Sequence, residues 1–402
     1  MQGFTYLKTK LELKRPRVQT RYKYYEQKQK VRDFQISTPP SLWGWMSTLG
    51  WCSKAVDALA DRLQFYEFRD DHFDINSIFE LNNADILYDS AILSALISSC
   101  CFIYIRADEN GYPRLQVLDG GRATGIMDPI TGMLEEGYAV LEEDENHMPL
   151  LEAYFIAGST TFYPKGKMPY TIQNPAPYPL LVPIVYRPDA MRPFGHSRIS
   201  RACMDIMGSA IRTIKRSEIS AEFYSYPQKY VTGTSKDAEV MEKWKAAMSA
   251  MLEFTADENE ENKVKVGQFT QQSMQPHTDQ LKMFASLFAA ETGLTLDDLG
   301  FVTSNPSSAE SIKASHENLR LTARKAQRDF GTGFLNTGYL AACIRDDYPY
   351  DRSAVYLTKP AWLPVFEPDS SALSGIGDAV SKINTAMPGY IDETKMMELT
   401  GF

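Results

Sequence analysis

The stretch from Thr278 to Asp346 limits the possible folds most sharply. A Met/Phe/Leu-rich segment, Leu281-Lys-Met-Phe-Ala-Ser-Leu-Phe-Ala-Ala290, runs into Glu291-Thr-Gly-Leu-Thr-Leu-Asp-Asp-Leu-Gly300. Then comes Phe301-Val-Thr-Ser-Asn-Pro-Ser-Ser-Ala-Glu310, followed by helix-permissive sequence as far as Asp346. Helical spacing on both sides of a Gly/Ser/Asn/Pro loop makes a loop flanked by rods rather than by strands of a sheet, an unusual order for an enzyme. It suits a loop that rigid helices hold into a channel.

The chain has 402 residues, 44% of them hydrophobic and 12% aromatic, enough for a buried core in two or three domains or in one multi-part subunit. Its longest apolar run, Ala91 to Ile105, is interrupted by Ser94, Ser98 and Ser99. That is well short of the roughly 20 apolar residues a membrane helix needs, so no membrane segment is expected. Met1 to Lys10 has no apolar core of signal-peptide length, and a cytoplasmic setting is expected. Cys52, Cys100, Cys101, Cys203 and Cys343 form neither a disulfide framework nor a CxxC pair, and read as small buried hydrophobes.

A formal net charge of -9 argues against an ordinary nucleic-acid-binding surface, which is usually basic. The charge is uneven. Lys8, Lys10, Lys14, Arg15, Arg17, Arg21, Lys23, Lys28, Lys30 and Arg32 crowd the N-terminal stretch, whereas Asp257-Glu-Asn-Glu-Glu261 is acidic. Each is either a solvated face or a contact with a neighbouring subunit or partner.

Along the chain, Arg21 to Asp33 reads as a short amphipathic helix that stops before Thr38-Pro-Pro40. Helical spacing recurs over Leu49 to Leu63, Asp74 to Leu81 and Ile86 to Ile97. From Cys101-Phe-Ile-Tyr-Ile105 to about Tyr186 the pattern is β, with runs at Arg114–Leu118, Glu136–Leu141, Leu151–Ile156 and Thr160–Tyr163 separated by turn signals, which predicts a small antiparallel sheet. Helical and strand blocks are segregated, so the class is α+β. Ser197 is a plausible N-cap for a helix to about Tyr224, roughly 40 Å long at about 1.5 Å per residue. An insertion follows: strand Lys229–Thr232, helix Ala238–Leu252 with Trp244, the acidic turn, and strand Lys263–Val266. A second rod spans Thr278 to Thr292. The last long helix, from about Ala309 to Ile344, contains Gly331, Gly333 and Gly338, each costing about 1 kcal/mol in a helix interior, so a kink or break is expected near Gly331.

Chemistry is sparse. No phosphate-cradling GxxxxGK[ST] occurs, and Gly331-Thr-Gly333 does not follow a strand. His72, His147, His196, His277 and His316 form no HExxH or HxH pair, and no GxSxG elbow appears. The carboxylate pairs Asp70-Asp71, Asp297-Asp298 and Asp346-Asp347 read as turns or caps, since adjacent helical residues point about 100° apart. Neither an enzyme, a cofactor nor a metal is therefore expected.

Three passages resemble tailed-bacteriophage portal proteins. Leu93 to Pro113 with Gly125-Ile-Met-Asp-Pro-Ile-Thr-Gly132 is similar to the portal wing, a helix leading into a strand hairpin and a further strand pair. Val182-Pro-Ile-Val-Tyr186 and Pro193-Phe-Gly-His-Ser-Arg-Ile199 are similar to the family's lead-in to its first stem helix. Glu291-Thr-Gly-Leu294 to Asn305-Pro-Ser-Ser-Ala-Glu310 is the third match. The resemblance implies an elongated subunit: an α/β wing over 1-196, stem helices over 197-225 and 275-293, and a small α/β clip over 226-274. A tunnel loop over 294-308, a kinked helix returning to the wing over 309-365, and a short crown over 366-402 complete it.

It further implies a homo-oligomeric ring, usually a dodecamer, at one capsid vertex of the virion, assembled in the host cytoplasm. Double-stranded DNA would pass through it, with the terminase motor, the head-tail connector, and major capsid and scaffold proteins as partners. Thr303, Ser304, Asn305, Ser307 and Ser308 would face DNA, with Arg212 and Lys282 as stem charges lining the channel. Lys236, Trp244, Asp257 and Glu258 would dock clip partners. An acidic chain suits DNA that must slide without strong phosphate contacts. The competing readings are another virion structural protein of the tail or baseplate, and a metal-dependent nuclease using Asp297 and Asp298.

Overall fold

The computed structural model describes residues 2–34, 40–225, 229–234, 251–255, 265–268, 273–301, 314–366, 368 and 370–400. They form a mixed helix-and-sheet fold in two compact units, one of residues 1–29, 50–204 and 289–402 and the other of 30–49 and 205–288.

The first unit opens with α1 (Phe4–Tyr25), which buries Leu7, Leu11 and Val18. Its apolar side lies on a five-stranded antiparallel meander of β4 (Ala123–Met127), β5 (Leu134–Glu143), β6 (Pro149–Ile156), β7 (Ser159–Pro164) and β8 (Tyr170–Gln173). Leu7 and Leu11 pack there with Tyr138 and Val140, and Phe4, Ile126 and Tyr154 close the cluster. Basic side chains fasten the same helix. Lys10 Nζ donates to the Gly125 carbonyl at 2.7 Å and Arg15 Nε to the Gly121 carbonyl at 3.1 Å. Arg15 also pairs with Glu143 at 3.1 Å, and Lys8 with Glu152 at 2.8 Å. Much of the N-terminal basic stretch thus holds the chain to itself. The helix expected over Arg21–Asp33 instead begins at Phe4 and ends at Tyr25, running through Pro16. Tertiary anchoring supplies what the proline, unfavourable by about 3 kcal/mol in a helix interior, removes.

Glu136, only 2% exposed, caps the start of α1. Its carboxylate accepts from the backbone amides of Gln2 at 2.6 Å and Gly3 at 2.9 Å, and from the Tyr154 hydroxyl at 2.7 Å. Burial by itself would raise its pKa; the Tyr154 hydroxyl and the two amides outweigh that and hold it below the usual glutamate range.

A second layer centres on β2 (Cys100–Ala107), flanked by β3 (Pro113–Leu118) and β9 (Leu181–Val185) in a separate antiparallel sheet. The β region expected as one sheet is therefore two. Over this layer pack α4 (Ala84–Ser98) and α7 (Glu317–Arg345), with α2 (Trp51–Ala60) against α4 and α3 (Ile75–Glu80) against α7. A short antiparallel pair, β1 (Phe65–Arg69) with β13 (Lys359–Trp362), lies beside α7.

No break occurs at Gly331: α7 is one continuous helix whose residues from Gly333 to Ile344 are all buried. Its glycines serve packing. A Cβ at Gly331 would lie 2.7 Å from Pro360 Cγ, one at Gly333 2.7 Å from Ile184 Cδ1, and one at Gly338 2.2 Å from Ile75 Cγ2. All five cysteines are free and buried. The unit ends in α8 (Ser370–Ala386) and α9 (Glu393–Thr400), which pack on each other.

The second unit contains most of α5 (Arg201–Ser225) and α6 (Gln275–Thr292) and a three-stranded sheet ordered β11-β10-β12. Here β10 (Lys229–Thr234) pairs parallel with β11 (Met251–Thr255) and antiparallel with β12 (Lys265–Gln268). Met251 and Leu252, expected to end a helix, are therefore strand residues; the remainder of that helix, 238–250, lies outside the described residues.

Gly338→Ala should lower the chemical denaturation midpoint, by about 1–3 kcal/mol of stability, because overpacking beside Ile75 outweighs the gain in helix propensity. Gly375→Ala, in α8 with nothing within 4 Å of the new Cβ, should raise stability by up to about 1 kcal/mol. Equal effects of the two would contradict the packing role. Glu136→Gln should cost about 2 kcal/mol near neutral pH. Because the folded-state pKa is depressed, the Glu136 contribution is present above the unfolded value of about 4.3 and is lost as pH falls through the lower folded value. The variant's stability curve should accordingly be flatter there, as read by urea melts across acidic pH.

Candidate functional site

Two helices and the loop after the second carry the sequence's functional expectations. The helix expected from Ser197 begins at Arg201, and its N-cap is Ser200, whose Oγ accepts from the Cys203 amide at 3.1 Å. Ser197 instead donates to the Ile97 carbonyl at 2.6 Å. Nearby, the Arg198 guanidinium, 8% exposed, donates to the carbonyls of Ala55 and Thr292, tying the end of α6 to α2 within the first unit.

Within the second unit, Lys215 Nζ lies 3.6 Å from an Asp33 carboxylate oxygen, each side chain 7% exposed. Thr213 Oγ1 donates to Gln280 Oε1 at 3.0 Å, joining α5 to α6. Arg212 stacks over Phe34 at 4.9 Å with Arg216 on the same ring at 5.4 Å, and Arg212 also reaches Ser209 Oγ at 2.9 Å. Arg212 is thus half-buried and engaged with its own chain, whereas Lys282 is exposed. The structure does not bring the two into one contact. Lys282 shares an exposed face of α6 with Met283 and Leu287, each 49% exposed. Trp43, Trp45 and Met46 are also more than two-fifths exposed, and Trp45 lines a 470 Å³ apolar cavity with Leu42, Ile219, Glu218 and Glu222. Sequence reasoning did not assign residues 30–34 and 40–49 to this unit. The density of Phe34, Trp43 and Trp45 was the available signal.

In the first unit, α6 ends at Thr292 and Gly293 follows with φ +69°, the left-handed residue that closes many helices. A 3-10 turn, Asp297–Leu299, comes next. Asp298 accepts from the Thr295 amide at 2.8 Å and hydroxyl at 2.9 Å, and His316 Nε2 lies 3.2 Å from the same carboxylate. Burial would raise the Asp298 pKa, yet the Thr295 amide and hydroxyl, then His316, hold it below the usual range. Residue 298, within the expected tunnel loop 294-308, is thereby joined to residue 316 beyond it. Asp297 and Asp298 form no metal cluster; none of three or more ligating side chains occurs among the described residues. Thr303, Ser304, Asn305, Ser307 and Ser308, and likewise Lys236, Trp244, Asp257 and Glu258, lie outside the described residues.

Two curated proteins match over most of the chain. The portal protein of Mycobacterium phage D29 is 23% identical over 404 aligned residues, covering 94% of this chain and 81% of that protein. The portal protein of Mycobacterium phage L5 is 22% identical over 332, covering 77% of this chain and 67% of that protein. This chain is related to phage portal proteins. No family model matches it. Solved structures with partial likeness include the neck of an empty GTA particle computed with C6 symmetry, at TM-score 0.47 and 14% identity over 88% of this chain and 90% of that one. The virion of a native gene transfer agent particle gives 0.47 and 13%, over 88% and 89%. The relationship to portal proteins rests on the sequence matches.

Lys215→Met should destabilise the chain by about 1–3 kcal/mol, because it removes the cation 3.6 Å from the buried Asp33 carboxylate. The double variant with Asp33→Asn should recover a large part of the loss. Thermal melts of both test this, and an additive double variant would show that the pair is not coupled.

Proposed function

We propose that this chain is the subunit of a phage portal, a ring at one capsid vertex of the virion through which the genome is packaged and ejected. The observation that carries the proposal is the similarity, over most of the chain, to two mycobacteriophage portal proteins. In this reading 197-225 and 275-293 are stem helices, 226-274 the clip, 294-308 the tunnel loop, 309-365 the return to the wing and 366-402 the crown. The subunit has no catalytic role; the terminase motor and head-tail connector dock on the clip, and capsid and scaffold proteins surround the wing.

Surface chemistry supports assembly. Met283 and Leu287 on α6, with Trp43, Trp45 and Met46, leave more large apolar surface in water than a small unit gains from. A closed ring repeats one heterologous interface around its axis and covers such surface on every subunit. Charge supports passage of DNA. With 51 acidic against 42 basic residues, the chain lacks the basic excess that makes duplexes adhere. The short uncharged side chains Thr303, Ser304, Asn305, Ser307 and Ser308 are proposed to line the constriction.

Electron microscopy of the purified protein should give rotationally symmetric rings with a central channel wide enough for a duplex, about 20 Å as implied by its groove dimensions. Leu287→Asp should shift the population toward single subunits by about tenfold or more without changing the circular dichroism spectrum, since a charge would enter an apolar interface. Monomers only, even with scaffold and capsid protein added, would overturn the reading.

A further inference from the structure

A cavity of 710 Å³ in the first unit is lined by Lys14, Arg17, Arg21, Arg192, His196 and Arg201, with no aspartate or glutamate among its lining residues. The charges come from three elements. Lys14, Arg17 and Arg21 repeat at helical spacing on α1, Arg192 and His196 lie on the chain between β9 and α5, and Arg201 opens α5. Like charges three or four residues apart on a helix repel one another. The two that touch the fold's interior are partly occupied: Lys14 Nζ donates to Cys100 Sγ at 3.3 Å, and Arg21 to the Ser98 carbonyl at 2.9 Å. His196 has a counter-charge, Asp189, 2.5 Å from its Nε2. No ion pair of Arg17, Arg192 or Arg201 occurs among the described residues, and all three are exposed. The Arg21 pKa is lowered, first by burial and further by the nearby cations Arg17 and Arg192; Asp189 beside His196 and Glu291 on Ser200 are the acids next to the lining. The positive end of α5 faces the same space.

Five lysines and arginines from three elements converge on this one concavity, an arrangement that suits an anion. Guanidinium forks from several directions match the tetrahedral array of phosphate oxygens better than the two coplanar oxygens of a carboxylate. The volume exceeds one phosphate and lies in the range of small-ligand sites, with Val18, Phe194 and Met204 giving apolar walls for the rest of an ester. We propose that this cavity binds phosphate groups, of a free polyphosphate compound or of a nucleic-acid backbone. The proposal stands on the chemistry of the cavity and does not depend on ring assembly.

The test uses the full chain at low salt with two probes: tripolyphosphate by calorimetry and a short fluorescein-labelled DNA duplex by anisotropy. R17Q/R192Q alters two exposed side chains, and its melting temperature should match the parent's. Arg201→Gln provides an independent variant away from α1, and Lys167→Gln, an exposed lysine after β7, a control outside the cavity. Binding of at least one probe should weaken about tenfold in R17Q/R192Q, less in Arg201→Gln, and not at all in Lys167→Gln. Loss confined to tripolyphosphate identifies a free phosphate compound. Loss of duplex binding, with the log affinity against log salt slope shallower by about 1.8 for two lost phosphate contacts, identifies the nucleic-acid backbone. No binding of either probe at millimolar concentration, or equal binding by parent and cavity variants, would overturn the proposal. Ring formation, scored separately by microscopy, reports on the portal reading alone.

Discussion

The first unit depends on the close approach of its neighbours to one buried helix. From Gly333 to Ile344 every residue of α7 is buried, so β9, β2, α3 and β13 must pack around it rather than against one face. Three glycines make this possible by leaving out the side chains that Pro360, Ile184 and Ile75 would meet. Interiors packed like organic crystals transmit such a constraint: moving α7 outward by the width of a methyl would open gaps along every surface it touches. The helix-propensity cost of the glycines, about 1 kcal/mol each, is offset by the apolar surface that close packing around them removes from water.

Charge supplies a second organising interaction. In α1 the lysines and arginines do what apolar residues do in other helices, reaching backbone carbonyls of β4 and its lead-in and carboxylates of β5 and β6. Their long apolar stems cover the sheet while their heads find acceptors at its rim. Glu136 completes the arrangement from the other side, taking the free amides at the start of the helix. The remaining cations, on the side of α1 turned to the loop before α5, are the ones left to face a ligand.

Function gathers where the fold leaves surface unsatisfied. The exposed apolar face of α6 and the aromatic segment before residue 50 suit burial by other copies, and the arginine-lined cavity suits an anion. Among the carboxylate pairs of the sequence, Asp298 is engaged by Thr295 and His316, Asp346 by Arg345 and Asp71 by the Asn76 amide.

Local signals in the sequence determined much of this protein: the segregated helical and strand blocks, the extents of α4 and α6, the end of α5, the strands β2, β3, β5, β6 and β7, and the order of segments that resembles portal proteins. These are properties of period, capping and turn residues, which act over a few neighbours. Tertiary structure decided the rest. It extended α1 through Pro16 to Phe4, since anchors on a sheet more than a hundred residues away outweigh local propensity. It divided the β region into two sheets, because strand pairing joins distant segments. It kept α7 whole through Gly331, because a glycine reads locally as a break and only its neighbours reveal it as a point of close approach. The basic cavity was hidden for the same reason: Arg17, Arg192 and Arg201 become one site only when α1 and the start of α5 are folded together.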